Sequence, residues 1–73
     1  MNEAKKDCVA VVEQRREEYG MTIKALARKS GIEEAVLYNI LSRRRRMQAS
    51  EMIALSAVLG LTLDDYREAG ESA

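Results

Sequence analysis

Residues 22–42 read TIKALARKSGIEEAVLYNILS. Thr22 is a helix-capping residue type, because its side-chain oxygen accepts from a backbone N–H that the first turn of a helix leaves without a partner. Leu26 and Ala27 then face inward, and Ala27 carries so little bulk that another helix can cross closely above it. Gly31 stands where the helix must stop and the chain must turn, a place that favours a positive φ and no Cβ. Ile32 plugs the turn, and Val36, Leu37 and Ile40 recur at helical spacing along one face of the next segment. The stretch therefore predicts a short helix over 23–30, a glycine turn, and a second helix over 33–42.

Outward from this stretch the chain reads as further helices. Asn2 is an N-cap candidate for a helix over residues 3–19, with Cys8, Val9, Val12, Arg16 and Tyr19 on one face and Ala4 continuing it. Gly20 ends that helix, Val11 widens its apolar stripe as either core or a spot for a partner, and Met21 tucks into the next turn. After a basic loop at 43–46, a fourth helix runs from Gln48 or Ser50 to Leu59, with Met52, Ile53, Leu55 and Leu59 inward and Gly60 closing it. Thr62 to Asp65 form a capping-box-like start for a fifth helix ending near Ala69, with 70–73 frayed. The fold class is all-α, a compact five-helix bundle, and residues 1–73 form one domain with a core over about 9–69.

Composition agrees. The chain has 73 residues, no Pro and no Trp, and its abundant Ala, Leu, Glu, Lys and Arg favour helix. A core this small is marginal without dense helix packing or a partner. A lone Cys8 forms no internal disulfide and agrees with a reducing cytoplasm; a small core hydrophobe is its plainest reading. No apolar run approaches the ~20 residues of a membrane span, and the N-terminus does not read as a signal peptide. Net charge is zero, but residues 21–50 carry +5 and residues 51–73 carry −4. Positive charge thus gathers on and just after the 22–42 stretch.

The spacing of Ala27, Gly31, Ile32, Leu37 and Ile40 fits a helix-turn-helix over 22–42, and the ordered set goes further. From about Val12 to Tyr66 the chain resembles the XRE family, the helix-turn-helix domains of phage repressors and Cro. The motif T-x-x-x-L-A … G-[VI] … [ILV]-x-x-[IL] is carried by Thr22, Leu26, Ala27, Gly31, Ile32, Leu37 and Ile40. The closing L-G-[VL]-[ST]-x-[DE]-[DE] is carried by Leu59, Gly60, Leu61, Thr62, Asp64 and Asp65. The resemblance implies the five-helix phage-repressor fold, a prokaryotic or phage setting and a DNA-binding transcriptional regulator acting as a homodimer on double-stranded DNA.

It also implies which residues touch the duplex. The helix over 33–42 would enter the major groove, with Glu34, Ala35, Tyr38 and Asn39 at the base-reading positions. A carboxamide such as Asn39 bonds adenine N6 and N7 together, Ala35 suits a thymine methyl, and Glu34 accepts from cytosine N4. Tyr38 suits a methyl or a phosphate. Thr22 and Lys24 sit at a helix N-terminus, where backbone N–H groups and charge attract phosphate. Arg43, Arg44, Arg45 and Arg46, four consecutive arginines expected to lack an acidic partner nearby, stand where the family's loop meets the DNA backbone.

Five positions depart from the family pattern. Glu33, Glu34 and Ala35 replace the usual uncharged polar residues at the start of the recognition helix. Ile23 replaces a Gln near the phosphates. Leu41 replaces a Glu that pairs with a first-helix arginine corresponding to Arg16, so Arg16 must find another acceptor or reach a phosphate. Glu33 and Glu34 favour a second reading, a protein-interaction module of antitoxin-like or antirepressor-like kind. An enzyme is not expected: the chain has no His, no Gly-rich phosphate loop and no pocket of paired carboxylates. No cofactor or small-molecule ligand is expected, and one Cys without His cannot assemble a classical zinc site. Val11, Tyr66 and the acidic C-terminal segment are the candidates for a dimer surface.

Overall fold

Each helix begins and ends on a local device written in the residues around it. The computed structural model describes the backbone of residues 7–71 and the side chains of 7–68. It contains α1 (Cys8–Glu18), α2 (Ile23–Ser30), α3 (Glu34–Leu41), α4 (Ala49–Leu59) and α5 (Leu63–Glu71), with no strand among the described residues. The first helix starts later than its apolar pattern suggested. Asp7 holds an extended backbone and its carboxylate accepts from Ala10 N at 3.0 Å, so the helix cannot run through it. Asn2 and Ala4 lie outside the described residues.

Thr22 caps α2 by accepting from Ala25 N at 3.0 Å. Gly31 ends the helix in the left-handed region, φ 78°, and the amides of Gly31 and Ile32 both donate to Ala27 O. A Cβ here would meet no atom within 4 Å, so it is the backbone conformation, not crowding, that calls for glycine. The fourth helix is opened by Glu51, whose carboxylate accepts from Gln48 N at 2.9 Å. Asp65 reaches back to Thr62 N at 2.7 Å to open α5. That helix runs to Glu71, two residues past the expected end.

Helix α2 packs against α3 and α4, and α1 packs against α3, α4 and α5. Val12, Leu26, Leu37, Ile40, Leu55 and Leu59 are fully buried and Ala27 nearly so, each large side chain contributing roughly 1.5–3 kcal/mol by leaving water. Val11 packs against this core. Tyr66 does too, and its hydroxyl sits 2.6 Å from Ser56 Oγ. Both side chains are half-buried. Ile53 corrects the expectation for α4. It is 70 % exposed, because it lies two residues from Leu55 and so ~200° around a helix whose buried side Leu55 and Leu59 define. Tyr19 is also exposed, its ring stacked on Arg15.

Candidate nucleic-acid interface

The face of α3 turned away from the core carries the four residues expected to read bases. Leu37 and Ile40 point inward. Helical spacing then sends Glu34, Ala35, Tyr38 and Asn39 to the other side, where they line one shallow open groove together with Ile23 and Arg44. Glu34, Ala35 and Tyr38 are exposed and Asn39 is half-buried. The Asn39 carboxamide makes no hydrogen bond within the described residues, so its donors and acceptor remain available to a ligand. Ile23 leans on the core from the rim of this groove, which explains how an apolar residue fits where the family carries an amide.

The loop after α3 is held by its own backbone. Asn39 O accepts from both Arg44 N at 2.9 Å and Arg45 N at 3.1 Å, wrapping the chain around the end of α3. Arg43 makes this possible by entering the left-handed region at φ 68°. Glycine fills that role after the other helices that end this way, at Gly20, Gly31 and Gly60. In a residue with a Cβ the conformation costs roughly 1–2 kcal/mol.

The four arginines are not four free cations. Arg43 is clamped by Asp7, the N-cap of α1, through both guanidinium nitrogens, one at 2.9 Å from Oδ1. Its guanidinium, by hydrogen bonding, holds the Asp7 carboxyl below its usual range. Arg45 lies 2.9 Å from each oxygen of Glu51 and lowers that carboxyl in the same way, helped by Gln48 N. Neither acid was apparent as a partner in the sequence. Asp7 is 36 positions from Arg43, whereas Glu51 carries a usable signal, since Q-x-x-E before an apolar run marks a helix start. Arg44 and Arg46 have no ion-pair partner among the described residues, and Arg44 lies 6.0 Å above the centre of the Tyr38 ring.

Arg16 finds its substitute for the missing glutamate close at hand. Its guanidinium donates to Glu13 at 3.0 Å and to Met21 O at 2.7 Å, while Leu41 packs on the core. Arg16 is therefore a brace between α1 and the turn before α2, and has no charge to spare for a phosphate. Lys24 and Thr22 are exposed at the start of α2. Glu33 and Glu34 are exposed and have no cationic partner among the described residues. No helix is long and apolar enough to cross a membrane, and no cluster of metal-ligating side chains occurs among the described residues.

An all-α bundle with a tight helix–glycine–helix crossing and an outward second helix defines a helix-turn-helix protein. Comparison with models of known families matches one described as "Helix-turn-helix" over residues 12–66. The chain belongs to the XRE family of helix-turn-helix proteins, a family of DNA-binding regulators whose domain is not of an enzymatic type. Comparison with curated proteins and with solved structures gave no match.

Proposed function

We propose that the chain is a sequence-specific transcriptional regulator of repressor-like action, binding a two-fold operator as a homodimer. Helix α3 enters the major groove and Glu34, Ala35, Tyr38 and Asn39 face the base edges. The observation that carries this reading is their convergence on one open groove, with the Asn39 carboxamide unspent inside the fold. Thr22 and Lys24 at the α2 N-terminus and Arg43, Arg44, Arg45 and Arg46 meet phosphates. Of the arginines, Arg44 and Arg46 bring the charge that is not already matched by a carboxylate. Two half-sites bound by a symmetric pair multiply the weak affinity of one unit.

One observation favours a second reading. Glu33 and Glu34 stand exposed at the leading end of α3 and unpaired among the described residues, where they would repel a phosphate backbone but could pair with a basic protein partner. Mobility shift on random duplex DNA at low salt, followed by selection of bound duplexes, separates the two. Recovery of a two-fold motif supports the regulator. No retardation at low salt transfers the function to protein interaction.

A further inference from the structure

We propose that Arg44 turns from the phosphates to the bases as a fifth base-reading residue, seated on the Tyr38 ring so that its guanidinium meets a guanine edge beside the base read by Asn39. The inference rests on α3 being the recognition helix and concerns what that helix reads.

Three observations separate Arg44 from the arginines around it, and one more, a backbone bond shared with Arg45, places it beside Asn39. It lines the α3 groove, which Arg43, Arg45 and Arg46 do not. Its neighbours on either side are turned elsewhere, Arg43 onto Asp7 and Arg45 onto Glu51, so the intervening side chain projects to the α3 side of the loop. Its backbone is fixed by the 2.9 Å bond from its N–H to Asn39 O, which ties its position to that of the residue expected to read adenine. Its guanidinium lies over a half-exposed aromatic ring, at 6.0 Å from the centroid, and has no carboxylate partner among the described residues.

The chemistry of this arrangement is selective. A guanidinium presents parallel N–H donors in a plane, and guanine O6 and N7 form the matching pair of acceptors in the major groove. A phosphate takes a lysine ammonium nearly as readily, but a guanine edge distinguishes the fork from the point charge. Stacking on Tyr38 removes part of the side chain's rotational freedom before DNA arrives, so less is lost on binding. Tyr38 is on this account a positioning residue for Arg44.

The test is selection from a random duplex pool with the full chain and with Asn39→Ala, Arg44→Lys, Arg44→Ala, Tyr38→Phe and Tyr38→Ala, followed by titration of the enriched duplex and its guanine-substituted variants. Arg44 is exposed, and retained helical circular dichroism checks that each variant folds. The expected wild-type motif contains a guanine next to the adenine that Asn39→Ala releases. Arg44→Lys keeps affinity for scrambled DNA within about twofold but loses a guanine preference of roughly tenfold. Tyr38→Phe, which keeps the ring, retains that preference, and Tyr38→Ala weakens it. A wild-type motif without such a guanine, or one whose guanine survives Arg44→Lys, overturns the assignment and leaves α3 as the reading helix. A wild-type pool that enriches no motif overturns the recognition-helix reading and this assignment with it.

Discussion

Arg45 and Glu51 meet with one guanidinium nitrogen 2.9 Å from both carboxylate oxygens, and the same carboxylate accepts from the first amide before α4. A single acidic side chain therefore starts a helix and anchors the basic loop. Asp7 does the equivalent at the other end of the loop, capping α1 while holding Arg43. The loop is consequently strapped to two helix N-termini, and the charge left unmatched among the described residues falls on alternate positions, Arg44 and Arg46.

Glu51→Gln keeps the shape but removes the charge. Stability is expected to fall by ~0.5–1 kcal/mol, since the pair is partly exposed. With Arg45 released, the log–log salt slope for duplex binding should steepen by about one. Thermal denaturation and a salt titration check the two effects, and they go in opposite directions only if Glu51 restrains the arginine.

Arg46 gives the complementary case. It is exposed and makes no ion pair among the described residues, so Arg46→Ala should leave the melting temperature unchanged. It should lower affinity for every duplex alike and flatten the salt slope by about one. A sequence-dependent loss would show that Arg46 reads bases.

The paired carboxyls give the pH dependence its sign. Asp7 and Glu51 titrate below their ordinary values of 3.8 and 4.5 in the fold, held down first by Arg43 and Arg45 respectively. A carboxyl depressed in the folded state contributes its stability in full above the unfolded value and loses it as pH falls through the folded one. The melting temperature should be level from neutrality down to about pH 5 and fall below that. Glu51→Gln should make the acid limb shallower.

Packing gives a sharp contrast within short spans of chain. Ala27 is 3 % exposed within the core cluster, and Ala27→Leu should cost ~1–3 kcal/mol by overpacking it. Leu55→Ala should cost ~2–5 kcal/mol through the cavity it leaves. Ile53→Ser should stay within ~0.5 kcal/mol of the parent. Denaturant melts of the three variants order them.

The ends of α2 and the start of α5 were legible because their causes are local: Thr22 before α2, Gly31 after it, and the Thr62–Asp65 pair before α5 act within four residues of themselves, whereas the α1 start at Asp7 and the α5 end at Glu71 were missed. The burial of Ala27, Leu37, Leu55 and Leu59 followed from helical spacing. Ile53 did not, because M-I-A-L-S-A-V-L is apolar almost all round and hydrophobicity then gives no face. The grouping of Glu34, Ala35, Tyr38 and Asn39 needed only the period of one helix, whereas Arg44 joins them through a turn of the backbone after that helix has ended. The pairing of Arg43 with Asp7 is a contact between distant segments, which no local pattern carries. Arg16 shows the same limit in reverse: its acceptors, Glu13 and Met21 O, lie within five residues, but only the loss of the family's glutamate raised the question.

The central claim is that the outward face of α3 reads sequence, and Asn39 tests it most directly. Asn39 donates no side-chain hydrogen bond to the described fold, so Asn39→Ala should leave the melting temperature nearly unchanged. The measurement is binding of the parent, Asn39→Ala and Glu34→Gln to a selected operator and to a scrambled duplex at one fixed salt concentration. Asn39→Ala should lose ~1–3 kcal/mol of discrimination at one base pair while scrambled-duplex binding persists. Glu34→Gln should tighten both complexes by removing a carboxylate from the phosphate field. An operator-to-scrambled ratio unmoved by Asn39→Ala, together with no tightening in Glu34→Gln, would contradict the claim and place a protein partner on this face.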